Sequence, residues 1–443
     1  MVRGFIVILI VIITVVTSGC QSVDEQKIIT LTVNYPSERM FFERVGYAFE
    51  SKYPNIRIKV MDQEISENVS ENQVSDIVFM RNKREYQEAI SEGGLLNLNQ
   101  YFTKSKREQM QLSDISTSML RWEEDSGLYG LSPAFSNYVI YYNKKIFDHY
   151  SLPYPSNQMK WEEILNLAQL FPNSNENGDT LYGFKSNYYE FISFATFLRV
   201  GQTEGLSFLD PTTLKININT AKWKEIGEYI INAFRGGKIY SDIDENSEKF
   251  VHSPIFTGQA AMELSSQTTA YNFEKVHKQY QLEEIDWGMV TVPVDPLNPE
   301  YSDYYQLNEI YGISNSSVNQ EEAWSFIEFI TSDVGYYKKN KSQIMNYGVP
   351  SKLDLLEPIG DHDLSPLYLL KPAISSNNPY EKVHFEIINN FKEIGQSLFD
   401  QVLSGSLSLD EAFERLEQLG QITVDETKKR LEDEGEVVVL EIN

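Results

Sequence analysis

An α/β chain folded in two lobes is what the sequence predicts, on three observations. Short strand patterns alternate with amphipathic helices along most of the chain, which favours layered packing of sheets and helices. The chain has 443 residues, more than one hydrophobic core ordinarily serves. The C-terminal part carries two long helical patterns after the last strand signal.

The elements follow in order. Ile29, Leu31 and Val33 alternate with Thr30 and Thr32, a strand pattern. Pro36-Ser37 interrupts it, and Phe41, Val45 and Phe49 then recur at helical spacing, with Ser37 as N-cap. Ile56, Ile58 and Val60 alternate again after Tyr53-Pro54-Asn55. This β-α-β order predicts a parallel pair with a helical crossover. Asp76 to Met80 reads as a third strand, followed by a polar helix over Arg84 to Ser91 that Gly93-Gly94 closes.

Leu128 to Tyr142 is a long extended stretch. Helices are expected at Trp161 to Phe171 and Trp223 to Phe234, with Trp161, Trp223 and Trp324 at core spacing. Strand signals return at Gly258 to Leu264, Trp287 to Val292 and Tyr311 to Ser314, the last leading into a helix over Glu321 to Ile330. Phe385 to Leu403 places Ile387, Phe391, Ile394 and Leu398 on one helical face. Ser408-Leu409-Asp410-Glu411 is a capping box that opens a final helix.

Composition narrows the chemistry. The formal net charge is −26, a surface that repels nucleic acid and anionic headgroups. Cys20 is the only cysteine, and the five histidines, His149, His252, His277, His362 and His384, do not pair at metal-ligand spacing. Zinc sites and cysteine nucleophiles are therefore not expected. There is no nucleophile elbow, P-loop, dinucleotide fingerprint or His-Glu-x-x-His. With 64 acidic residues, the sequence singles out no carboxylate pair of the kind that cleaves glycosides. No catalytic residue, metal or cofactor is assigned. Asn173 to Asp179 has the spacing of a calcium loop with Gly178 sixth, but Asn occupies positions one, three and five and Phe184 the twelfth. A hard cation wants carboxylates there, so a metal-free turn is expected.

The N-terminus reads as an export signal. Arg3 precedes an apolar run from Phe5 to Val16, too short to favour a membrane-spanning helix, and Thr17-Ser18-Gly19-Cys20 follows. Ending in Gly-Cys, the segment resembles a bacterial lipoprotein signal, although Thr17 stands where Leu is commoner. The resemblance implies cleavage before Cys20, lipidation of Cys20 and a short tether over residues 20–27. Loss of Arg3 with the leader makes the mature chain one unit more negative.

A set of ordered landmarks points to a family. Gly94-Leu95-Leu96-Asn97-Leu98 follows the third strand and its helix. Tyr129-Gly130-Leu131-Ser132-Pro133 leads to Tyr141-Tyr142-Asn143-Lys144-Lys145-Ile146-Phe147. Trp161-Glu162-Glu163-Ile164 follows, with Lys160 where Thr is usual. Phe256-Thr257-Gly258-Gln259-Ala260-Ala261-Met262, Trp287-Gly288-Met289-Val290 with Pro293, and Tyr311-Gly312-Ile313-Ser314 before Glu322-Ala323-Trp324-Ser325-Phe326-Ile327 complete the set. In this order, behind a lipoprotein leader, the chain resembles the carbohydrate-type (family 1, maltose-binding-protein-like) solute-binding lipoproteins of ABC importers.

That resemblance implies a periplasmic-binding-protein-like fold of type 2, with discontinuous lobes joined by crossover strands. Lobe 1 is expected to comprise 28–135 and 290–318, and lobe 2 residues 138–288 and 320–443. It also implies a monomer that binds a small carbohydrate, docks on ABC permease subunits and touches the membrane through its lipid alone, on the extracytoplasmic face of a Gram-positive cell.

Ligand contacts are expected just past strand ends, where lobe closure brings loops together. The candidates are Asn34, Tyr35, Glu38 and Arg39 after the first strand, and Arg81 and Asn82 after the third. Ser136, Asn137 and Tyr138 lie on the predicted crossover. Ser266 and Gln267 follow a later strand, where relatives often have Gly at 266 and a sugar-stacking Trp at 268, and nearby Tyr271 is the candidate substitute. Asn308, Glu309 and Tyr347 complete the set. A Tyr-rich and mostly uncharged cleft favours a sugar; Arg39 and Arg81 are the residues positioned to reverse the acidic field locally. A partner-binding or sensory lipoprotein of the same fold, with a non-sugar or lost ligand, is the alternative reading, and a surface hydrolase a more distant one.

Overall fold

Burial alternates along the first strand, and Leu31 and Val33 are fully enclosed, as a half-buried sheet face requires. The computed structural model describes residues 28–61, 75–186, 192–240, 253–373, 380 and 382–439, with the side chains of 341–346 left aside. The leader, Cys20 and the tether lie outside these residues. The strands are β1 (Ile29–Asn34), β2 (Ile56–Met61), β3 (Ile77–Met80), β4 (Gly130–Leu131), β5 (Ala134–Phe135), β6 (Tyr138–Asn143), β7 (Tyr182–Lys185), β8 (Ala260–Ser266), β9 (Trp287–Thr291), β10 (Tyr301–Ser302), β11 (Ile310–Ile313), β12 (Val349–Pro350) and β13 (Lys371–Pro372).

Two main sheets form, with orders β2-β1-β3-β11-β4 and β7-β8-β6-β9. β1 and β2 are parallel, as the β-α-β pattern predicts, and β11 runs antiparallel between β3 and β4. In the second sheet β6 is antiparallel to both β8 and β9. The extended stretch from Leu128 to Tyr142 is not one strand. It splits into β4 and β5 on the first side and β6 on the second, so it carries the chain across.

The helices follow the sequence pattern. Ser37 caps the first by accepting from the Met40 N–H. Phe385–Leu403 is helical over the expected span, and Ser408 and Glu411 form the capping box of Leu409–Glu434. Lys160 has no Thr hydroxyl to offer, but its N–H still donates to the Glu163 carboxylate, keeping half of a capping box. The two C-terminal helices pack on Ile192–Thr203 and Ala221–Arg235 through an aromatic seam of Phe194, Phe197, Trp223 and Phe399. Trp161, Trp223 and Trp324 are all buried.

Two of the expected lobe boundaries are displaced. Met289, Val290 and Thr291 are hydrogen-bonded into β9 beside β6, so the expected break between 288 and 290 falls inside a second-sheet strand. The chain returns to the first sheet only over 292–309. Residues 320–347, expected in lobe 2, remain with the first sheet. Phe326 stacks on Phe41 and meets Phe49 and Tyr311 edge-on, and the Tyr337 hydroxyl donates to the Pro133 carbonyl. The physical reason is the apolar face of the helix Gln320–Ser332, whose Phe326, Phe329 and Ile330 cover the first sheet and the helix over it. The third passage therefore follows Tyr347, where β12 pairs with β5.

Candidate functional site

The passages between the sheets are tied together by hydrogen bonds. Ser136 and Gln306 exchange backbone bonds of 2.8 and 3.0 Å, joining the first two passages. Asn308 donates its amide to Ser136 Oγ at 2.7 Å. Asn137, 1% exposed, donates to the Leu367 carbonyl at 2.8 Å, and its own N–H donates to Gln267 Oε1 at 3.1 Å. Buried polar groups need such partners, and these partners come from chain segments far apart in sequence. Asn137 thus fastens the crossing and does not face the cavity.

Beside this knot a cavity of about 420 Å³ opens between the sheets. Ser136, Tyr138, Gln306, Asn308 and Glu309 line it from the passages, Ser266, Gln267 and Thr268 from the end of β8, and Pro133, Ala134 and Tyr347 from the first side. Hydroxyls, amides and aromatic rings dominate. Ser266 Oγ and Thr268 Oγ1 already share a hydrogen at 2.7 Å, and either can turn outward as donor or acceptor.

Among the described residues Glu309 is the one carboxylate on this wall, and it is neutralised from behind. Both its oxygens accept from Arg44, with side-chain exposures of only 13% and 12%. Arg44 also donates to the Tyr35 hydroxyl at 3.3 Å and lies 3.7 Å from the centre of the Tyr347 ring. Its carbonyl accepts from the Tyr336 hydroxyl at 3.2 Å. Burial pushes the Tyr336 hydroxyl up to about 12, although the Arg44 charge opposes the shift. Arg44 sits in a π-helical turn, Phe42–Gly46, which widens the helix where its guanidinium turns inward. A Cβ on Gly46 would come within 2.6 Å of the Phe42 ring, so a larger residue there would force that ring to move.

A second, larger groove of about 830 Å³ continues from the cavity, sharing Tyr138 and Gln306 with it. Arg199 grips the Asp303 carboxylate with both terminal nitrogens and lies 3.7 Å from the centre of the Tyr304 ring. Tyr304 in turn packs against Tyr138, with ring centroids 5.8 Å apart.

Of the residues singled out in the sequence, Ser136, Tyr138, Ser266, Gln267, Asn308, Glu309 and Tyr347 come together around the first cavity. Others do not line either space. Asn34 spends its amide on β3, accepting from the Phe79 N–H at 2.7 Å. Tyr35 is buried against Phe41 and Phe79 and reaches the site only through Arg44. Glu38 and Arg39 are exposed on a four-residue helix. Arg81 pairs with Glu85 at 2.7 Å, and Asn82 caps its own helix. Tyr271 is half-buried on the helix Thr268–Tyr280, its hydroxyl enclosed without a partner among the described residues and pushed up to about 12 by burial.

Sequence reasoning missed Arg44, Gln306 and Thr268, and the whole set from Arg199 onward. Thr268 follows two residues already singled out, so adjacency was a usable signal. Arg44 and Arg199 look like ordinary helix charges until the fold buries them. The Asn173–Asp179 turn closes on itself, with Asn175 Oδ1 accepting from the Asn177 and Asp179 N–H groups. Among the described residues no cluster of His, Cys, Asp or Glu is placed to hold a metal ion, and no helix is long and apolar enough to cross a membrane.

Comparison with known proteins agrees with this architecture. The structure is similar to an extracellular solute-binding protein of family 1 from Alicyclobacillus acidocaldarius, with TM-score 0.66 and 16% identity over 90% of this chain and all of that one. It is similar to a sugar transporter protein from Rhizobium etli in an open conformation, with TM-score 0.59 and 18% identity over 89% of this chain and 99% of that one. It is also similar to an ABC substrate-binding protein from Listeria monocytogenes in complex with cycloalternan, with TM-score 0.55 and 17% identity over 90% and 100%. The profile of the bacterial extracellular solute-binding proteins matches residues 34–336, well over half of the chain. The chain therefore belongs to the bacterial extracellular solute-binding protein family, the substrate-binding partners of ABC transporters and not enzymes.

Proposed function

We propose that the chain captures a sugar or oligosaccharide between its two sheets and delivers it, as a monomer, to the permease subunits of an ABC importer. The observation that carries this reading is the character of the cavity wall. Among the described residues, amides, hydroxyls, Tyr138 and Tyr347 surround it, and the one carboxylate there is already neutralised by Arg44. Such a wall suits a polyol, whose hydroxyls want paired donors and acceptors and whose ring faces stack on aromatics. Fold neighbours described as a sugar transporter protein and as a cycloalternan complex support the same class of ligand.

We further propose that lipid on Cys20 holds the protein to the outer face of the cell membrane, on a Gram-positive cell. The leader pattern from Arg3 to Cys20 supports it. In a Cys20→Ser variant, detergent-phase partitioning and fatty-acid labelling should both be lost; labelling that persists would refute the anchor.

Thermal unfolding of the leaderless protein against mono- and oligosaccharides, amino acids and phosphorylated compounds tests the ligand class. A ligand at about 100 times its Kd adds roughly 2.7 kcal/mol, which raises Tm by a few degrees. The expected result is a shift with one saccharide class. Stabilisation by amino acids alone would overturn it, and no shift at all would favour a partner-binding or sensory protein of the same fold.

A further inference from the structure

We infer that Glu309 selects the saccharide: its carboxylate takes a hydrogen bond from a free hydroxyl of the ring in the first cavity, so that hydroxyl must be neither esterified nor alkylated. The inference rests on the saccharide reading above and deepens it.

The direction of the hydrogen bonds carries the argument. The other polar side chains described on this wall are hydroxyls, amides and phenols, and each of these groups both donates and accepts. They take a ligand hydroxyl or a ligand ether oxygen alike. Glu309 is different. Held through both oxygens by the Arg44 guanidinium, it is a carboxylate that only accepts. Among the described lining side chains it alone demands a proton from the ligand.

Glu309 also has accepting capacity to spare. A carboxylate has about four acceptor positions, and Arg44 takes one on each oxygen. No further donor among the described residues reaches it. Arg44 is not among the residues described on the cavity wall, so its grip comes from the far side and leaves accepting positions for a ligand. The Glu309 side chain is only 13% exposed, and a carboxylate withdrawn from water gains more from an added donor than one in bulk solvent.

Arg44 settles which donor fits. The pair is neutral as a whole, so a neutral hydroxyl completes it, whereas an ammonium would leave an unbalanced charge on a nearly enclosed wall. An ester or ether oxygen at that position would face the carboxylate with no proton to give. The neighbouring residue supplies the complementary half. Asn308 donates to Ser136 Oγ at 2.7 Å, and no partner among the described residues takes the Ser136 proton. Ser136 and Glu309 line the same cavity, so a ring hydroxyl that gives its proton to Glu309 keeps lone pairs that can accept from Ser136.

The test is isothermal titration of the leaderless protein with the homodisaccharides of glucose, galactose and mannose, intact and with each hydroxyl replaced in turn by fluorine. Fluorine is close to the hydroxyl in size and cannot donate. In the series that binds, fluorine at one hydroxyl, or at two adjacent ones, should weaken binding at least about tenfold. That penalty should be lost in Glu309→Gln, whose amide donates as well as accepts. It should also be lost in Arg44→Leu/Glu309→Leu, which removes both charges together and covers the case of a single variant that does not fold. Both variants should bind the intact disaccharide about as weakly as its fluorinated form. Wild-type protein that binds every fluorinated form as it binds the intact one overturns the inference and leaves the saccharide reading intact. Fluorine penalties that all survive in a folded variant also overturn it. Failure of every intact disaccharide to bind removes both readings.

Discussion

Arg44 holds Glu309 through both carboxylate oxygens, across 265 positions of sequence, and so binds the first helix to the passage that enters β11. The pair is nearly enclosed, with Glu309 on the cavity wall and Arg44 behind it. Removing one partner leaves the other charge buried. Arg44→Leu is therefore expected to cost about 3 kcal/mol, measured by urea unfolding, and to weaken saccharide binding. The double variant Arg44→Leu/Glu309→Leu should recover part of that stability without recovering affinity. A single variant as stable as wild type would contradict the burial of the pair.

Tyr347 lines the cavity, the Arg44 guanidinium lies 3.7 Å from the centre of its ring, and it is 40% exposed. Tyr347→Ala should reduce affinity about tenfold and stability by about 1 kcal/mol, the scale of a cation–π contact with its share of burial. Tyr347→Phe keeps the ring and should retain most of both. Titration calorimetry and thermal unfolding on the two variants check this, and equal losses in both would place the effect in the hydroxyl instead.

Asp76 joins β3 to its neighbours. Its carboxylate accepts from the Thr32 N–H and hydroxyl at 2.9 and 2.8 Å, from Ser317 at 2.7 Å and from Asn319 at 3.3 Å. Burial alone pushes this carboxyl up, but the hydrogen bonds from Ser317, Thr32 and Asn319 outweigh it and hold it below the usual carboxylate range. Its contribution is complete above the unfolded value of about 3.9 and is lost as pH falls through the lower folded value. Asp76→Asn should cost about 2 kcal/mol at neutral pH, because an amide nitrogen then meets donors. The variant should also show a shallower loss of stability below pH 4 than the wild type. An unchanged acid limb would show that Asp76 does not titrate with folding.

Gly201 lies where the helix Ile192–Thr203 meets Trp223. A Cβ there would stand 2.0 Å from the indole ring, inside a fully packed seam. Gly201→Ala should cost about 1–3 kcal/mol from overpacking, seen as a lower urea midpoint at an unchanged slope. Stability equal to wild type would mean that Trp223 has room to move.

The parts of the fold that were legible in the sequence are those set by neighbours in the chain. Alternation marked β1 and β2, the Ser408 and Glu411 pair marked the last helix, and the apolar face of Phe385–Leu403 marked its whole length. The misplaced boundaries depend on distant contacts. Nothing local shows that Phe326 covers Phe41, or that β9 stays with β6 through Thr291. The site divides the same way. Ser136, Tyr138, Ser266, Asn308 and Glu309 could be picked out because they follow strand ends or sit on a passage. Asn34 satisfies the same rule, but the backbone of β3 claimed its amide first. Local reversal of the acidic field was expected at Arg39 and Arg81, but Arg39 is exposed on the first helix and Arg81 is turned to Glu85, and neither lines the cavity.

Titration of the saccharide that most stabilises the protein, into wild type and into Asn308→Ala and Ser136→Ala variants, measures the central claim most directly. Asn308 and Ser136 are hydrogen-bonded to each other on the cavity wall, so both variants alter that wall without touching the hydrophobic core. The expected result is one saccharide per chain, about tenfold weaker binding in either variant, and saccharide recovered with its mass unchanged. Wild-type affinity in both variants, or a cleaved saccharide, would contradict a binding protein that holds its ligand between the sheets at this wall.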